Sequence, residues 1–252
     1  MRLLFFIILL LFIGGCADKS VSPQVAFDSQ EIDEFEEEFL TSSSNNFDPL
    51  EGYNRVMTKF NDVAITHIIF PVAKGYKKIV PQGARNSIGN FFDNLMFPIR
   101  FANNIFQGKI ANAFSESGRF IINTTVGFLG FADVATDIYK IEEHREDFGQ
   151  TLGYWGIPGG PHIVLPFLGP SNIRDFSGGF VDMVANPINY FEWRQVNLLN
   201  NGDEAFVLKS ADILNSMPQI TDMYDMATKD AIDLYPLLKN MYEQRRNALI
   251  KE

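Results

Sequence analysis

Apolar residues recur at steps of three and four along much of the chain, which is the period of a helix with one apolar face. Three such stripes are present, at residues 53–67, 88–106 and 110–127. The first stripe runs until Pro71, Pro98 should kink the second, and Gly108 should end it. Proline removes an amide donor from a helix, and glycine readily adopts the backbone of a helix end. These patterns predict a series of amphipathic helices.

The first of these helices has a recognisable start. Asp48 has the position of a helix cap, Pro49 suits the first turn, and Glu51 completes the spacing of a capping box. A cap of this kind satisfies backbone amides that have no partner inside the helix. The ordered part of the chain is therefore expected to begin at residue 48.

The later part of the sequence is also expected to be mainly helical. Gly and Pro residues cluster between residues 127 and 170 and predict tight turns, with residues 163–165 as a short extended piece. Residues 203–252 return to helical patterns, with Pro218 and Pro236 near helix breaks. Because no series of alternating strands is present, the sequence predicts a single, mainly α domain.

The N-terminus has the pattern of a bacterial lipoprotein signal. Arg2 precedes an apolar run at residues 3–13, which is shorter than the roughly 20 residues needed to cross a bilayer. Gly14 and Gly15 then lead to Cys16, the only cysteine of the chain. A signal peptide of residues 1–15 is predicted to be removed, which leaves Cys16 as a lipid-modified N-terminus. An unmodified cysteine behind an ordinary signal peptide is the alternative.

The segment that follows Cys16 is expected to be a tether. Carboxylates dominate residues 31–38, serine and asparagine follow them, and no sustained apolar period is present. Ala17 stands where an aspartate is associated with retention in the inner membrane, and this favours the outer membrane of a Gram-negative bacterium. The predicted organisation is a signal peptide at 1–15, a disordered acidic tether at 16–47 and a helical domain at 48–248.

Composition narrows the possible partners. The net charge of −10 and a pI near 4.8 argue against nucleic acid, because phosphate binding requires clustered Lys and Arg. Phenylalanine is abundant, with 24 residues. Such a chain suits either a membrane interface or the phenylalanine-rich core of a water-soluble protein, and composition alone leaves both open.

Motifs for enzymatic chemistry are absent from the sequence in their required contexts, so no catalytic residue, metal ligand or cofactor is predicted. The acidic loop at residues 142–147 could bind a cation or act in acid-base chemistry, but a solvated charged loop is favoured. Asp147 and Gln150 have capping-box spacing and predict a helix through Trp155. A lipase that uses Ser171, His162 and Asp175 or the acidic loop remains an alternative.

Several ordered strings resemble the VacJ/MlaA outer-membrane lipoproteins, and together they span roughly residues 47–246. They are Asp48-Pro-Leu-Glu-Gly-Tyr-Asn54-Arg55, Asn94-Leu95, Gln107-Gly108, Arg119-Phe-Ile-Ile-Asn123-Thr124-Thr125-Val-Gly127, Asp147-Phe-Gly-Gln-Thr151-Leu-Gly153, Leu165-Pro-Phe-Leu-Gly-Pro170-Ser-Asn-Ile-Arg174-Asp175, Asp233-Leu-Tyr235 and Tyr242-Glu-Gln-Arg245-Arg246.

The resemblance implies a ring-like helical protein in the outer membrane beside a trimeric porin. Its amphipathic channel would admit phospholipids from the outer leaflet and pass them to a soluble periplasmic carrier, which maintains lipid asymmetry without covalent chemistry. A lipoprotein that only scaffolds a porin is a further alternative.

Lipid-contacting or channel residues are expected in the second stripe and in the third helix. The alternatives are ordinary helix packing for the stripe and close helix approach for the polar residues. The candidates are Phe91, Phe92, Leu95, Ile99, Phe106, Asn123, Thr124 and Thr125.

Overall fold

The computed structural model describes residues 48–190, 202–229 and 231–252. The predicted signal peptide, Cys16 and the acidic tether lie outside these residues. The described helices are α1 (Glu51–Ala64), α2 (Phe70–Ile79), α3 (Gln82–Leu95), α4 (Phe97–Phe106), α5 (Ile110–Thr125), α6 (Val134–Asp137), α7 (Phe148–Tyr154), α8 (Ile173–Ala185), α9 (Pro187–Tyr190), α10 (Gly202–Thr228) and α11 (Leu234–Lys251). The strands β1 (His162–Leu165) and β2 (Gly169–Asn172) form one hairpin. The predicted mainly α class is confirmed.

Helix α1 begins slightly later than predicted, and its capping box is absent. Leu50 is the N-cap residue, and its amide donates to Asp48 Oδ1 over 2.9 Å. The other carboxylate oxygen of Asp48 accepts from Asn54, which is six residues further along, and from Tyr235 and Lys239, which come from a distant part of the sequence. Asp48 is therefore used mainly for tertiary contacts, which local spacing could not reveal.

The first helix does not stop at Pro71 as the stripe predicted. A single π-helical turn at Ile65–Ile69 connects α1 directly to α2, with Pro71 in the first turn of α2. The wider π turn changes the backbone pairing just before the proline, so the missing amide does not end the helical path.

The predicted break at Pro98 is confirmed. Met96 separates α3 from α4 with backbone angles φ −78° and ψ 0°, and Pro98 lies in the first turn of α4. Gly108 adopts a φ of 73° after the end of α4, as expected for a glycine that ends a helix. Helix α5 then packs against α4.

The extended piece predicted at residues 163–165 is part of β1, which pairs antiparallel with β2 in the register His162 with Asn172 through Leu165 with Gly169. The free edge of β1 is bound by α1. Asn54 accepts from the amide of Val164 and donates to the carbonyl of His162, at 2.8 and 3.0 Å. Two turns later, Asn61 accepts from the amide of Phe167 and donates to the carbonyl of Leu165 in the same way. Amide side chains therefore take the place of a third strand.

The prediction of a helix break near Pro218 is wrong. Pro218 lies inside the 27-residue helix α10, which packs against α2 and α3. Those contacts hold the helix together despite the lost backbone hydrogen bond. The break near Pro236 is confirmed, since α11 begins at Leu234 after a cap by Asp233, whose carboxylate accepts from the amide of Tyr235.

The buried apolar core is small. Phe92 of α3 packs against Ile188 of α9, with a rim of partly buried residues from α3 and α10. The other buried hydrophobic residues that the structure describes are Ala64, Ala73, Ala113, Ala135, Val164 and Tyr235. Most of these side chains are small, so polar residues must fill much of the remaining interior.

Candidate functional site

The faces that the helices turn inward are largely polar. In α1, α4 and α5 the buried side chains recur at three- and four-residue steps, just as the apolar residues do on the opposite faces. The buried polar residues of these three helices are Asn54, Thr58, Asn61, Arg100, Asn103, Asn104, Glu116, Arg119 and Asn123. Each helix therefore carries two stripes, and the polar stripe is the interior one.

A charged network joins α4 to α5. Glu116 is completely buried and accepts from Arg100 Nε at 2.7 Å and from the amide of His144 at 2.7 Å. Arg119, one turn along α5, donates to Asp133 at 3.0 Å and to the carbonyl of Ile141. Buried charges are tolerated only when they are paired and hydrogen-bonded in this way. The network fixes the segment between α5 and α7 to the polar faces of α4 and α5.

The acidic loop at residues 142–147 belongs to the same interior. Glu146 is buried and accepts from Lys109 at 2.6 Å and from Gln107 at 2.7 Å. Glu143 forms ion pairs with Arg100 and Arg145. The interpretation of this loop as simply solvated is therefore wrong for these two carboxylates. Within the described residues, no group of His, Cys, Asp and Glu side chains is arranged to hold a metal ion.

A second charged cluster joins α7, α8 and α11. Asp147 caps α7 with the predicted capping box to Gln150 and also accepts from Arg246 at 2.6 Å. Arg246 binds Asp175 through Nε at 2.9 Å. Burial raises the pKa of Asp175, but hydrogen bonds from Arg174, Arg246 and Tyr242 outweigh this effect and lower the pKa to about 2. Asp175 is therefore a structural carboxylate that is ionised at neutral pH.

The outer faces of the same helices are apolar. Phe114 of α5 is 71% exposed, and α8 exposes nearly its whole apolar stripe. Two tight turns also expose pairs of large apolar side chains, Phe128-Leu129 and Phe167-Leu168. The backbone φ is positive at Phe128, Leu129 and Phe167. The exposed large hydrophobic residues of α1, α4, α5 and α8 include Tyr53, Val56, Phe60, Val63, Ile105, Phe106, Ile110, Ile121, Ile173, Phe176, Phe180, Val181, Met183 and Val184.

Such an arrangement is the reverse of that in a water-soluble protein. Soluble monomers rarely expose apolar patches larger than a few hundred Å², and their cores are built from large aliphatic and aromatic side chains. In the part of the chain that the structure describes, no helix combines the length and the apolar character needed to cross a bilayer. Of the two readings of the phenylalanine content, the exposed rings favour the membrane interface.

The predicted aromatic candidates divide between the interior and the surface. Phe92 is buried in the core, and Phe91 is half-buried and stacks on Phe131 with ring centroids 5.0 Å apart. Leu95 packs against the same core, and Ile99 is half-buried. Phe106 is 52% exposed at the end of α4. Phe92 thus serves helix packing, whereas Phe106 is available at the surface.

The polar candidates also differ in their environments. Asn123 is buried and binds Asp133 at 2.8 Å and the amide of Ala135 at 2.9 Å. Thr124 accepts from Asn94 at 3.0 Å, and Thr125 is exposed and donates to the carbonyl of Ile121. Asn123 and Thr124 have structural partners in the interior, and the hydroxyl of Thr125 is bonded to its own helix.

The residues of the lipase alternative do not form a catalytic arrangement. Ser171 donates to the carbonyl of Asn172, and Asp175 is occupied by Arg174, Arg246 and Tyr242. His162 lies between Tyr235 and Tyr242, its Nδ1 is 3.5 Å from Glu243, and neither ring nitrogen is hydrogen-bonded to Ser171 or Asp175. A nucleophile, base and orienting acid must be hydrogen-bonded to one another in sequence. These three side chains lack that chain of contacts.

The model of the MlaA lipoprotein family matches residues 46–249. The chain belongs to the MlaA lipoprotein family. The intermembrane phospholipid transport system lipoprotein MlaA of Shigella flexneri is 38% identical over 158 residues, which cover 61% of this chain and 62% of that protein. The Escherichia coli K12 protein of the same name gives the same identity and coverage. The alignment thus spans less than two thirds of these relatives' length.

Two further similarities extend over more of the MlaA-like region. An uncharacterized protein of Rickettsia prowazekii is 30% identical over 213 residues, which cover 81% of this chain and 78% of that protein. A solved structure that concerns the structural basis for maintenance of bacterial outer membrane lipid asymmetry has a TM-score of 0.66 and 30% identity. The match covers 81% of this chain and all of the solved chain.

The strings that carry the MlaA resemblance form the polar interior described above. Asp48 and Asn54 join α1 to Tyr235 and β1, and Arg119 and Asn123 belong to the α4–α5 network. Asp147, Arg174, Asp175 and Arg246 hold the cluster of α7, α8 and α11, and Thr151 joins α7 to Asn103 of α4. Glu116 and Asn104 are also fully buried in this interior, and neither was identified as a candidate residue from the sequence. The signal that could have found them is the helical spacing of polar residues, such as Asn54, Thr58 and Asn61.

Proposed function

We propose that this protein is an outer-membrane lipoprotein that removes phospholipids from the outer leaflet and passes them to a periplasmic carrier, which maintains lipid asymmetry. The observation that carries this proposal is the reversed polarity of the fold. Helices with exposed apolar faces suit a hydrocarbon environment, and a polar interior suits the passage of a charged headgroup. The names of the relatives and the subject of the solved structure support the same function.

The finer parts of this function are also proposals. A lipid anchor on Cys16 would hold the protein at the membrane, with residues 16–47 as a tether and residues 48–248 as the helical domain. The domain would form a ring around an amphipathic channel beside a trimeric porin. Phe106 and the other exposed apolar side chains would contact lipid, and Phe91, Leu95, Ile99, Thr124 and Thr125 are the remaining candidates for lipid or channel contacts.

No covalent chemistry is part of the proposed function. A carrier that moves an intact amphipathic molecule needs a polar path and an apolar path, and it needs no nucleophile or metal. The geometry of Ser171, His162 and Asp175 supports transport over hydrolysis, because these side chains already have other surroundings and are not linked to one another.

The experiment that tests the proposal is a transfer assay with the lipidated protein in vesicles that contain a phospholipid labelled in both its headgroup and its acyl chain. If the protein transports intact lipid, both labels should move together to acceptor vesicles when a soluble lipid carrier is added. Release of labelled fatty acid would favour the lipase. Formation of a porin complex without lipid transfer, or without co-purifying phospholipid, would favour the scaffold alternative.

The cellular test uses a strain that lacks the protein. Its outer leaflet should contain more phospholipid, and the cells should become more sensitive to detergent. Complementation with the unaltered chain should reverse both changes, and a Cys16→Ser variant should restore less function if the anchor is needed. An unchanged outer leaflet in the deletion strain would contradict the proposal.

A further inference from the structure

The C-terminal end of α4 is unusual because all of its final carbonyl groups have hydrogen-bond partners. The last four carbonyls of a helix normally lack partners within it. Here the carbonyls of Asn103, Asn104 and Ile105 accept from the amides of the following turn at 2.9–3.0 Å. The fourth, that of Phe106, accepts from the indole Nε1 of Trp155 at 3.0 Å. This helix end therefore offers no free acceptor to water.

The side chains around this helix end are apolar and exposed. Phe106 and Trp155 are each 52% exposed, and both rings meet Phe148 edge to face, at centroid distances of 6.4 and 6.2 Å. Ile105, Tyr154 and Ile157 are also exposed. The indole N–H is the one polar atom of the Trp155 side chain, and the carbonyl of Phe106 satisfies it.

Phe106 and Trp155 form an apolar tip at the end of α4, and the cation nearest to Phe106 in the sequence is neutralised. Lys109 lies just beyond α4, and its ammonium group binds Glu146 at 2.6 Å, where both side chains are mostly buried. The same ammonium lies 5.6 Å from the centre of the Tyr154 ring. The tip thus matches an uncharged, aprotic environment in both charge and hydrogen bonding.

We propose that the tip formed by Phe106 and Trp155 inserts among the acyl chains of a phospholipid bilayer, and that the Trp155 indole makes this possible by capping α4. This inference rests on the proposed function, which places the protein in a membrane. In hydrocarbon an unpaired carbonyl costs several kcal/mol, because no water can replace the lost partner. Trp155 is a positioning residue for membrane insertion, and it supplies both the ring and the missing donor.

The first test uses the fluorescence of Trp155 in the lipidated, full-length mature protein. Trp193 is the second of two tryptophans, so Trp193→Phe leaves Trp155 as the only indole. In phosphatidylcholine vesicles, phospholipids with brominated acyl chains should quench its emission by at least about half, and aqueous acrylamide should quench it little. The double variant Trp155→Phe, Trp193→Phe is the matched control and should show no indole emission to quench.

The outcomes separate the inference from the proposed function. If the protein floats with vesicles but acrylamide quenches Trp155 and bromolipid does not, the inserted tip is wrong. The proposed function would then stand or fall on the transfer assay alone. If the reconstituted protein fails to float with vesicles, both are wrong.

The second test isolates the cap. Trp155→Phe keeps an aromatic ring but removes the donor to the Phe106 carbonyl, whereas Phe106→Leu keeps the carbonyl and the donor. In vesicles Trp155→Phe should lower the unfolding midpoint by about 3–8 °C more than Phe106→Leu does. Equal shifts would overturn the capping role, because water would then have replaced the indole.

Discussion

At the scale of single residues, the interior of this protein is held by charge pairs and amide side chains. Glu116 bridges Arg100 and the backbone of His144 while it is completely removed from solvent. Such a group is costly to bury and is stable only while its partners are present. Polar contacts of this kind determine which faces of α4 and α5 meet. In an apolar core, the complementary shapes of the side chains determine this instead.

Glu116→Gln should strongly destabilise the protein. The substitution keeps the shape of the side chain but leaves buried Arg100 with only its longer ion pair to Glu143, at 3.5 Å. Loss of one partner of a buried ion pair typically costs about 3–5 kcal/mol. Urea titration of the detergent-solubilised protein, followed by circular dichroism, would measure the free energy of unfolding. Glu142→Gln is the matched control, because Glu142 is exposed. Its value should change by less than about 0.5 kcal/mol, and equal losses for both variants would contradict the role of Glu116.

Asp175 should make the stability depend on pH in the acid range. Its pKa is lowered to about 2 in the folded protein, so the folded state binds a proton less readily than the unfolded chain. The resulting stabilisation, about 2 kcal/mol, is fully present above the unfolded pKa of about 3.9 and is lost as pH falls through about 2. Roughly half of it should be gone at pH 3.

The check is to measure the free energy of unfolding at pH 6 and pH 3 for the unaltered protein and for Asp175→Asn. The variant should be less stable at pH 6, and the difference between the two proteins should narrow at pH 3. A difference that stays constant across this range would show that Asp175 is not the titrating group.

At the scale of helices and strands, close backbone contacts determine how the elements pack. Helices α7 and α8 touch through Gly149 and Gly178, and a Cβ atom added to Gly178 would lie 2.3 Å from the amide nitrogen of Gly149. No side chain fits between backbones at that distance. The adjacent Gly179 faces open space, with no atom within 4 Å of its added Cβ.

Substitution of these neighbouring glycines should have opposite effects. Gly178→Ala must push α8 away from α7 and should cost about 1–3 kcal/mol, the usual penalty of overpacking. Gly179→Ala should be neutral or stabilise α8 by up to about 1 kcal/mol, because alanine favours the helix. Thermal unfolding of the two purified variants would measure the difference. Similar midpoints would contradict the close packing of α7 and α8.

The helices themselves were largely predictable from the sequence. The period of the apolar stripes, the break at Pro98 and the capping box at Asp147 depend on local interactions, and the structure confirms them. The π turn before Pro71 and the continuation of α10 through Pro218 were not predicted. Both depend on contacts with other elements, which local sequence rules do not include. The binding of β1 by Asn54 and Asn61 is equally non-local.

At the scale of the whole molecule, the sequence revealed two-faced helices but not which face is inside. Apolar stripes usually form the core, so the candidate site was sought among phenylalanines. The structure instead buries Phe92 and Asn123 and exposes Phe106, Phe114 and Phe180. The burial of the polar stripe depends on pairing between helices, for example of Arg100 with Glu116, and such pairs are not visible in one helix alone.

A charge placed on the outer apolar surface should therefore matter only in a membrane. Phe114 is the exposed phenylalanine of α5, and Phe114→Lys should destabilise the protein in lipid nanodiscs by about 1–3 kcal/mol. A water-exposed site would tolerate lysine within about 0.5 kcal/mol. The control is Phe114→Leu, which keeps the site apolar. Thermal unfolding in nanodiscs should separate the two variants, and identical midpoints would place Phe114 in water.

The most direct measurement is photochemical labelling by a phospholipid that carries a diazirine on its acyl chain. The protein would be reconstituted in vesicles, irradiated and digested, and the modified residues would be mapped by mass spectrometry. We expect adducts on exposed apolar side chains of α1, α5 and α8, such as Phe60, Phe114 and Phe180, and little modification of polar loops that face water. If these side chains were instead oxidised by hydroxyl radicals from the aqueous phase and carried no lipid adducts, the membrane-facing exterior would be wrong.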